Sequence, residues 1–120
     1  MKIVTFLLTV LLSLSACASD NKAHSSDGNT QQTAKAEVVE VIIQKFKFIP
    51  EVVEIKKGQT IRWVNKEKRQ YHSVWFEKLG EEESEYLFPD DTWDKTFDKA
   101  GDFEYRCGPH PEMIAKVIVK

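Results

Sequence analysis

Histidine and cysteine are scarce in this chain: three of the first and two of the second among 120 residues. Two cysteines, Cys17 and Cys107, allow at most one disulfide within the chain, so a disulfide-rich scaffold is excluded. Basic charge is lacking too. Seventeen Lys and Arg stand against nineteen Asp and Glu, a formal net charge of −2, which leaves no basic footprint for nucleic acid. Internal repeats are absent. No Ser-His-Asp set, paired carboxylates or open metal site stands out, so an enzyme is not expected. Only one long apolar run occurs, and it lies at the start.

That run explains the early cysteine. Met1 and Lys2 precede IVTFLLTVLLSL, which meets the small residues SACAS. A short basic start, an apolar stretch and a small-residue exit describe a secretory signal, and the stretch is short for a membrane span. The exit can be cut in two ways. Ala16-Cys17-Ala18 has the A-x-A form cut before Ser19, while Leu14-Ser15-Ala16-Cys17 resembles a bacterial lipobox, in which Cys17 becomes the lipidated first residue. The lipobox is favoured, because cysteine is a poor filler at a cleavage site and a tail suited to tethering follows. Residues 1–17 are then a signal peptide with lipobox, and a lipid on Cys17 anchors the exported protein to a membrane. Ala18 after that cysteine resembles outer-membrane sorting in a Gram-negative cell. Residues 18–36, with SDNKAHSSDGNTQQTAKA, lack large apolar side chains and read as a flexible tether, with His24 a solvated linker residue.

Residues 37–120 remain as one domain, small enough that a metal or disulfide often supports the core. The pattern is all-β. EVVEVIIQKFKFIP is β-branched and aromatic and ends at Pro50. EVVEIKK, TIRWVN, HSVWF, WDKTF, DFEYR and MIAKVIVK follow, punctuated by Gly58, Gly101 and Pro. Ile61, Trp63 and Asn65 alternate with Thr60, Arg62 and Val64, and Phe103 shares a face with Tyr105. Many short strands with such turns read as a β-sandwich or barrel. Trp63, Trp75 and Trp93 fall on these strands and are expected in the core. Between Glu77 and Asp91 the strand pattern stops; EKLGEEESEYLFPDD carries seven acidic residues against one Lys. It reads as a solvated loop with a short helical turn around Glu81–Leu87, or as an acidic rim that steers a cationic partner.

Against this background YRCGPHPEM, residues 105–113, is unusual. Cys107, His110 and Met113 lie three apart in a loop stiffened by Pro109 and Pro111. With Cys17 lipidated or removed, Cys107 has no partner in an oxidising compartment. Its alternatives are a small buried hydrophobe or an occupied ligand, and its neighbours favour the ligand. Thiolate, imidazole and thioether are soft to intermediate donors, unlike the oxygens that Ca²⁺ and Mg²⁺ take. A thioether suits zinc poorly, which turns the choice to copper. Two His and one Cys in a trigonal set with a weak axial Met is the blue-copper arrangement. His72, the only histidine of the domain outside the loop, becomes the remaining ligand.

Residues 38–120 also resemble a family, the small cupredoxins of plastocyanin and amicyanin type. FIPEVVEIKKGQTIRWVN, HSVWF and FPDDTWDKTFDKAGDFEYRCGPHPEM carry the resemblance, and C-x-x-H-x-x-M with Pro on both sides of the His is similar to amicyanins in particular. The resemblance implies a Greek-key β-sandwich of about eight strands. It implies one copper ion cycling between Cu(I) and Cu(II) on His72, Cys107, His110 and Met113, with His110 as the electron port. The protein is then a monomeric one-electron carrier in the periplasm or cell envelope, between a donor and an acceptor such as a cytochrome, dehydrogenase or oxidase. A copper-binding accessory protein for delivery or storage would use the same residues. Three departures stand out: the lipobox is unusual for an amicyanin, and two more lie in the domain. The family often has Asn after the first ligand His, where this chain has Ser73, whose hydroxyl would have to make a similar bond across to the Cys loop. The acidic segment 77–91 is not part of the family pattern.

Overall fold

A computed structural model describes residues 37–120. The signal and lipobox, the tether with His24, and the boundary at residue 36 lie outside the described residues. Seven strands, β1 (Val38–Gln44), β2 (Lys47–Ile49), β3 (Val52–Ile55), β4 (Thr60–Asn65), β5 (Thr92–Thr96), β6 (Gly101–Arg106) and β7 (Ile114–Val119), form two sheets. One has the order β2-β1-β4-β5 and the other β3-β7-β6. The chain changes sheets between β2 and β3, again between β3 and β4, and between β5 and β6, so β1 comes to lie beside β4 and β3 beside β7, strands distant in sequence. β1 pairs with β4 and β3 with β7 in parallel, and the other pairs are antiparallel.

Period-two alternation sends one face of each strand inward. Val41 and Ile43 of β1, Ile61 and Trp63 of β4, and Ala115, Val117 and Val119 of β7 are buried between the sheets. Trp63 is fully buried, and its Nε1–H donates to the Tyr105 hydroxyl at 3.1 Å, which satisfies the one polar group the indole brings inside. Of the other two tryptophans, Trp93 packs on the core from its rim and Trp75 departs from expectation. Trp93 is half-buried and leans on Trp63 at 5.3 Å. Trp75 is half-buried under the Arg106 guanidinium, 4.4 Å from its ring.

Three further differences shape the ligand end. The long run before Pro50 is two strands, because Lys45 and Phe46 turn the chain with φ of 54° and 56° and bring Gln44 opposite Lys47. A two-residue turn with both φ positive matches the twist of a hairpin, though it usually selects Asn or Gly. HSVWF makes only isolated bridges, His72 with Leu87 and Trp75 with Arg106, so seven strands stand where about eight were expected. The helical turn is a single 3-10 turn at Glu77–Leu79, ended by Gly80 with φ 69°. Beyond it the backbone bonds back to the histidine segment: Ser84 N–H donates to Val74 O, and Leu87 and His72 exchange both of their bonds. Among the described residues no helix is long and apolar enough to cross a membrane.

Candidate metal centre

Three of the four sequence-predicted ligands meet at one end of the sandwich. His72, Cys107 and His110 present ligand atoms that all lie within 4.8 Å of one another. His72 Nδ1 is 3.6 Å from Cys107 Sγ, and His110 Nδ1 is 3.5 Å from the same sulfur. An ion bound trigonally at about 2.0 Å from nitrogen and 2.3 Å from sulfur holds such donors about 3.7 Å apart, so the spacing and the donor set both fit a soft or intermediate metal. Met113 is buried where the loop enters β7; its N–H donates to His110 O at 2.9 Å and its carbonyl accepts from Cys107 N–H at 3.0 Å. Those two bonds close the loop on itself. Pro109 and Pro111 have no N–H to place, so Gly108 N–H is the loop donor that looks outward. It donates to Ser73 Oγ at 2.8 Å, the cross-bond expected of a residue at that position.

His72 and Cys107 are fully buried, and His110 is half-buried. Burial, and next the charge of His110, hold the His72 imidazole below its ordinary value, so its nitrogen lone pair is available to a metal at neutral pH. Burial pushes the Cys107 thiol up, against the N–H groups that point at it, of which Ser73 N–H lies 3.4 Å from Sγ. A thiolate at that place calls for a cation beside it. With Nδ1 facing the sulfur, the proton of His72 belongs on Nε2. That atom is buried without a hydrogen-bond partner, and Glu67 Oε1 is 3.7 Å away. Glu67 is held in turn: Phe46 N–H donates to its Oε1 at 2.8 Å, and its own N–H donates to Asn65 Oδ1 at 2.9 Å.

Two residues at the centre escaped the sequence reading. Phe46 sets the edge of its ring against both imidazoles, with centroids 5.6 Å from His72 and 5.1 Å from His110. Only the positive φ at the hairpin tip puts it there, and no Gly or Asn in QKFK announces that turn. Glu83, from the acidic segment, lies 2.6 Å from Ser73 Oγ. Its neighbours in EEESE look the same on paper.

Residues 4–119 match the model of the cupredoxin-like domain. Among curated relatives, amicyanin of Paracoccus versutus is 42% identical over 89 residues, 71% of this chain and 67% of the relative. Amicyanin of Paracoccus denitrificans is 35% identical over 95 residues, 72% of each chain. The crystal structure of amicyanin from Paracoccus versutus superposes with a TM-score of 0.65 at 39% identity, covering 71% of this chain and 83% of that one.

Proposed function

The chain belongs to the cupredoxin-like family, a type 1 blue copper protein that carries one electron at a time and is not an enzyme, and on that premise we propose that His72, Cys107, His110 and Met113 hold its single copper ion. The observation that carries the assignment is the triangle of His72 Nδ1, Cys107 Sγ and His110 Nδ1 about one point. When bound, copper supplies a Cu(I)/Cu(II) couple whose two states a fixed ligand set can hold with little rearrangement.

The residues divide the remaining work. Burial of His72 and Cys107 keeps water from that side of the centre. The closed backbone bonds of the loop and its two prolines limit how far His110 can move as charge changes. His110, half-buried between Pro109 and Pro111, is the edge through which the electron enters and leaves. Phe46, 45% exposed and packed on both imidazoles, offers a partner an apolar contact beside that edge. Electron-transfer encounters are small and transient, so a face of this size suffices. The partners are a donor and an acceptor redox protein. The protein works outside the cytoplasm, in the periplasm. Its finer address is part of the proposal: a lipid on Cys17, in the outer membrane of a Gram-negative cell, with residues 18–36 as the tether of a monomer.

Titration of the purified protein with Cu(II), followed by visible absorption beside Cys107→Ser, tests the assignment. An intense thiolate-to-copper band saturating at one equivalent and absent in the variant is expected. A weak band that the substitution leaves unchanged would overturn it.

A further inference from the structure

The acidic segment touches the ligand loop through one carboxylate. Glu83 is half-buried, whereas Glu81, Glu82 and Glu85 around it are exposed. Its Oε1 lies 2.6 Å from Ser73 Oγ, and the same hydroxyl accepts the Gly108 N–H at 2.8 Å. A carboxylate only accepts, so the Ser73 proton points at Glu83 and the hydroxyl lone pair is turned to Gly108. Ser73 therefore meets the loop twice, through Oγ at Gly108 and through its backbone N–H at Cys107 Sγ. From the other side Arg106 donates to the carbonyls of Cys107 and Gly108 at 3.0 and 3.3 Å while paired with Glu77 at 2.6 Å.

Gly108 belongs to this arrangement. A Cβ at that position would sit 1.8 Å from Glu83 Oε1 and 2.4 Å from its Cδ. The backbone there is not in the left-handed region, so the glycine leaves space for a carboxylate and is not needed for a turn.

We propose that Glu83 is a positioning residue of the copper centre, which fixes the Ser73 hydroxyl against the Cys107 loop and sets a negative charge against the backbone at Gly108 that favours the oxidised state. This rests on the four-ligand reading above. The Glu83 carboxylate reaches the loop through the Ser73 hydroxyl at 2.6 Å and lies against Gly108, the residue that follows Cys107. An anion near the centre stabilises Cu(II) over Cu(I) and so lowers the reduction potential.

Four variants of the full chain separate position from charge. Glu83→Gln keeps an acceptor for Ser73 and removes the charge. Its potential is expected to rise, with the Cu(I):Cu(II) ratio at a fixed applied potential up on the order of tenfold, ~59 mV for one electron. Gly108→Ala expels the carboxylate but leaves its charge on the chain, and is expected to raise the potential too. Glu82→Gln removes an exposed charge one position away and is expected to leave it unchanged. In the metal-free protein, Glu83→Ala is expected to speed exchange of the Gly108 amide on the order of tenfold, and Glu83→Gln is not. An unchanged potential in both Glu83→Gln and Gly108→Ala, or an equal shift in Glu82→Gln, would overturn the proposal. So would unaltered Gly108 exchange in Glu83→Ala. Absence of a thiolate band in the parent protein would count against the ligand assignment instead, and the metal-free exchange still decides the Glu83 contact.

Discussion

The segment 107–113 and the segment 66–91 bring the proposed ligands to the same place by different means. The first closes on itself through Cys107 N–H to Met113 O and Met113 N–H to His110 O, and its prolines leave few donors to satisfy. The second is long and is held by side chains. Asn65 Nδ2 donates to both Gln70 O and Leu87 O at 2.8 Å, its Oδ1 accepts from Glu67 N–H, and Val74 N–H finds Ser84 Oγ at 2.9 Å. A loop stiffened by covalent geometry can carry a half-exposed ligand. A loop stiffened by hydrogen bonds keeps its ligand in place by burying it.

The largest test of that difference replaces each histidine in turn. His72→Gly and His110→Gly should both abolish the thiolate-to-copper band. Added imidazole should restore it in His110→Gly, where the missing ring opens toward solvent, and not in His72→Gly, where the site is fully buried. Equal rescue, read by absorbance during an imidazole titration, would erase the distinction. A smaller effect compares the two stiffening devices. Asn65→Ala removes three hydrogen bonds, leaving Gln70 O and Glu67 N–H without this partner while Leu87 O keeps the His72 N–H, and should cost about 2–3 kcal/mol of stability. Pro109→Ala frees only the unfolded chain, and should cost about 0.4–1 kcal/mol. Similar denaturant midpoints for the two would show that the comparison is wrong. The smallest effect lies outside both segments. Arg62 holds the Asp94 carboxyl below its ordinary range, first through hydrogen bonds at 2.8 and 2.7 Å and, against a lesser cost of burial, through its charge. A depressed carboxyl stabilises the fold above its unfolded value of about 3.9, and that contribution is lost as pH falls through the lower folded value. Both side chains are about two-fifths exposed, so screening keeps it to roughly 0.5 kcal/mol. Asp94→Asn should flatten the acid limb of the melting temperature by that small amount, between pH 6 and pH 2.5.

The same difference governs what could be read from residues alone. Cys107, His110 and Met113 announce themselves because they are close in sequence and set among prolines. His72 followed because no other histidine was available in the domain. The inward face of β4 was legible from alternation, as Ile61 and Trp63 show. What was not legible depends on distant partners. HSVWF has the composition of a strand, but its β-bridges to other segments are isolated ones, at His72 and Trp75. The hairpin at Lys45 and Phe46 lacks the residues that favour positive φ. Glu83 differs from its neighbours only in facing Ser73 and Gly108, a relation that spans from residue 73 to residue 108.

The parallel pairing of β3 with β7 matters for when the protein becomes functional. β7 is the last strand, it lies between β3 and β6, and the ligand loop joins it to β6 within the second sheet. Pairings so far apart in sequence form slowly, because a long loop must close before any contact is gained. The His72 imidazole meets the Cys107 thiol across 35 positions of chain, so that side of the triangle exists only once the histidine segment has docked on β6. Capture of copper by the complete triangle is expected to follow folding, and the appearance of colour on dilution from denaturant would time it.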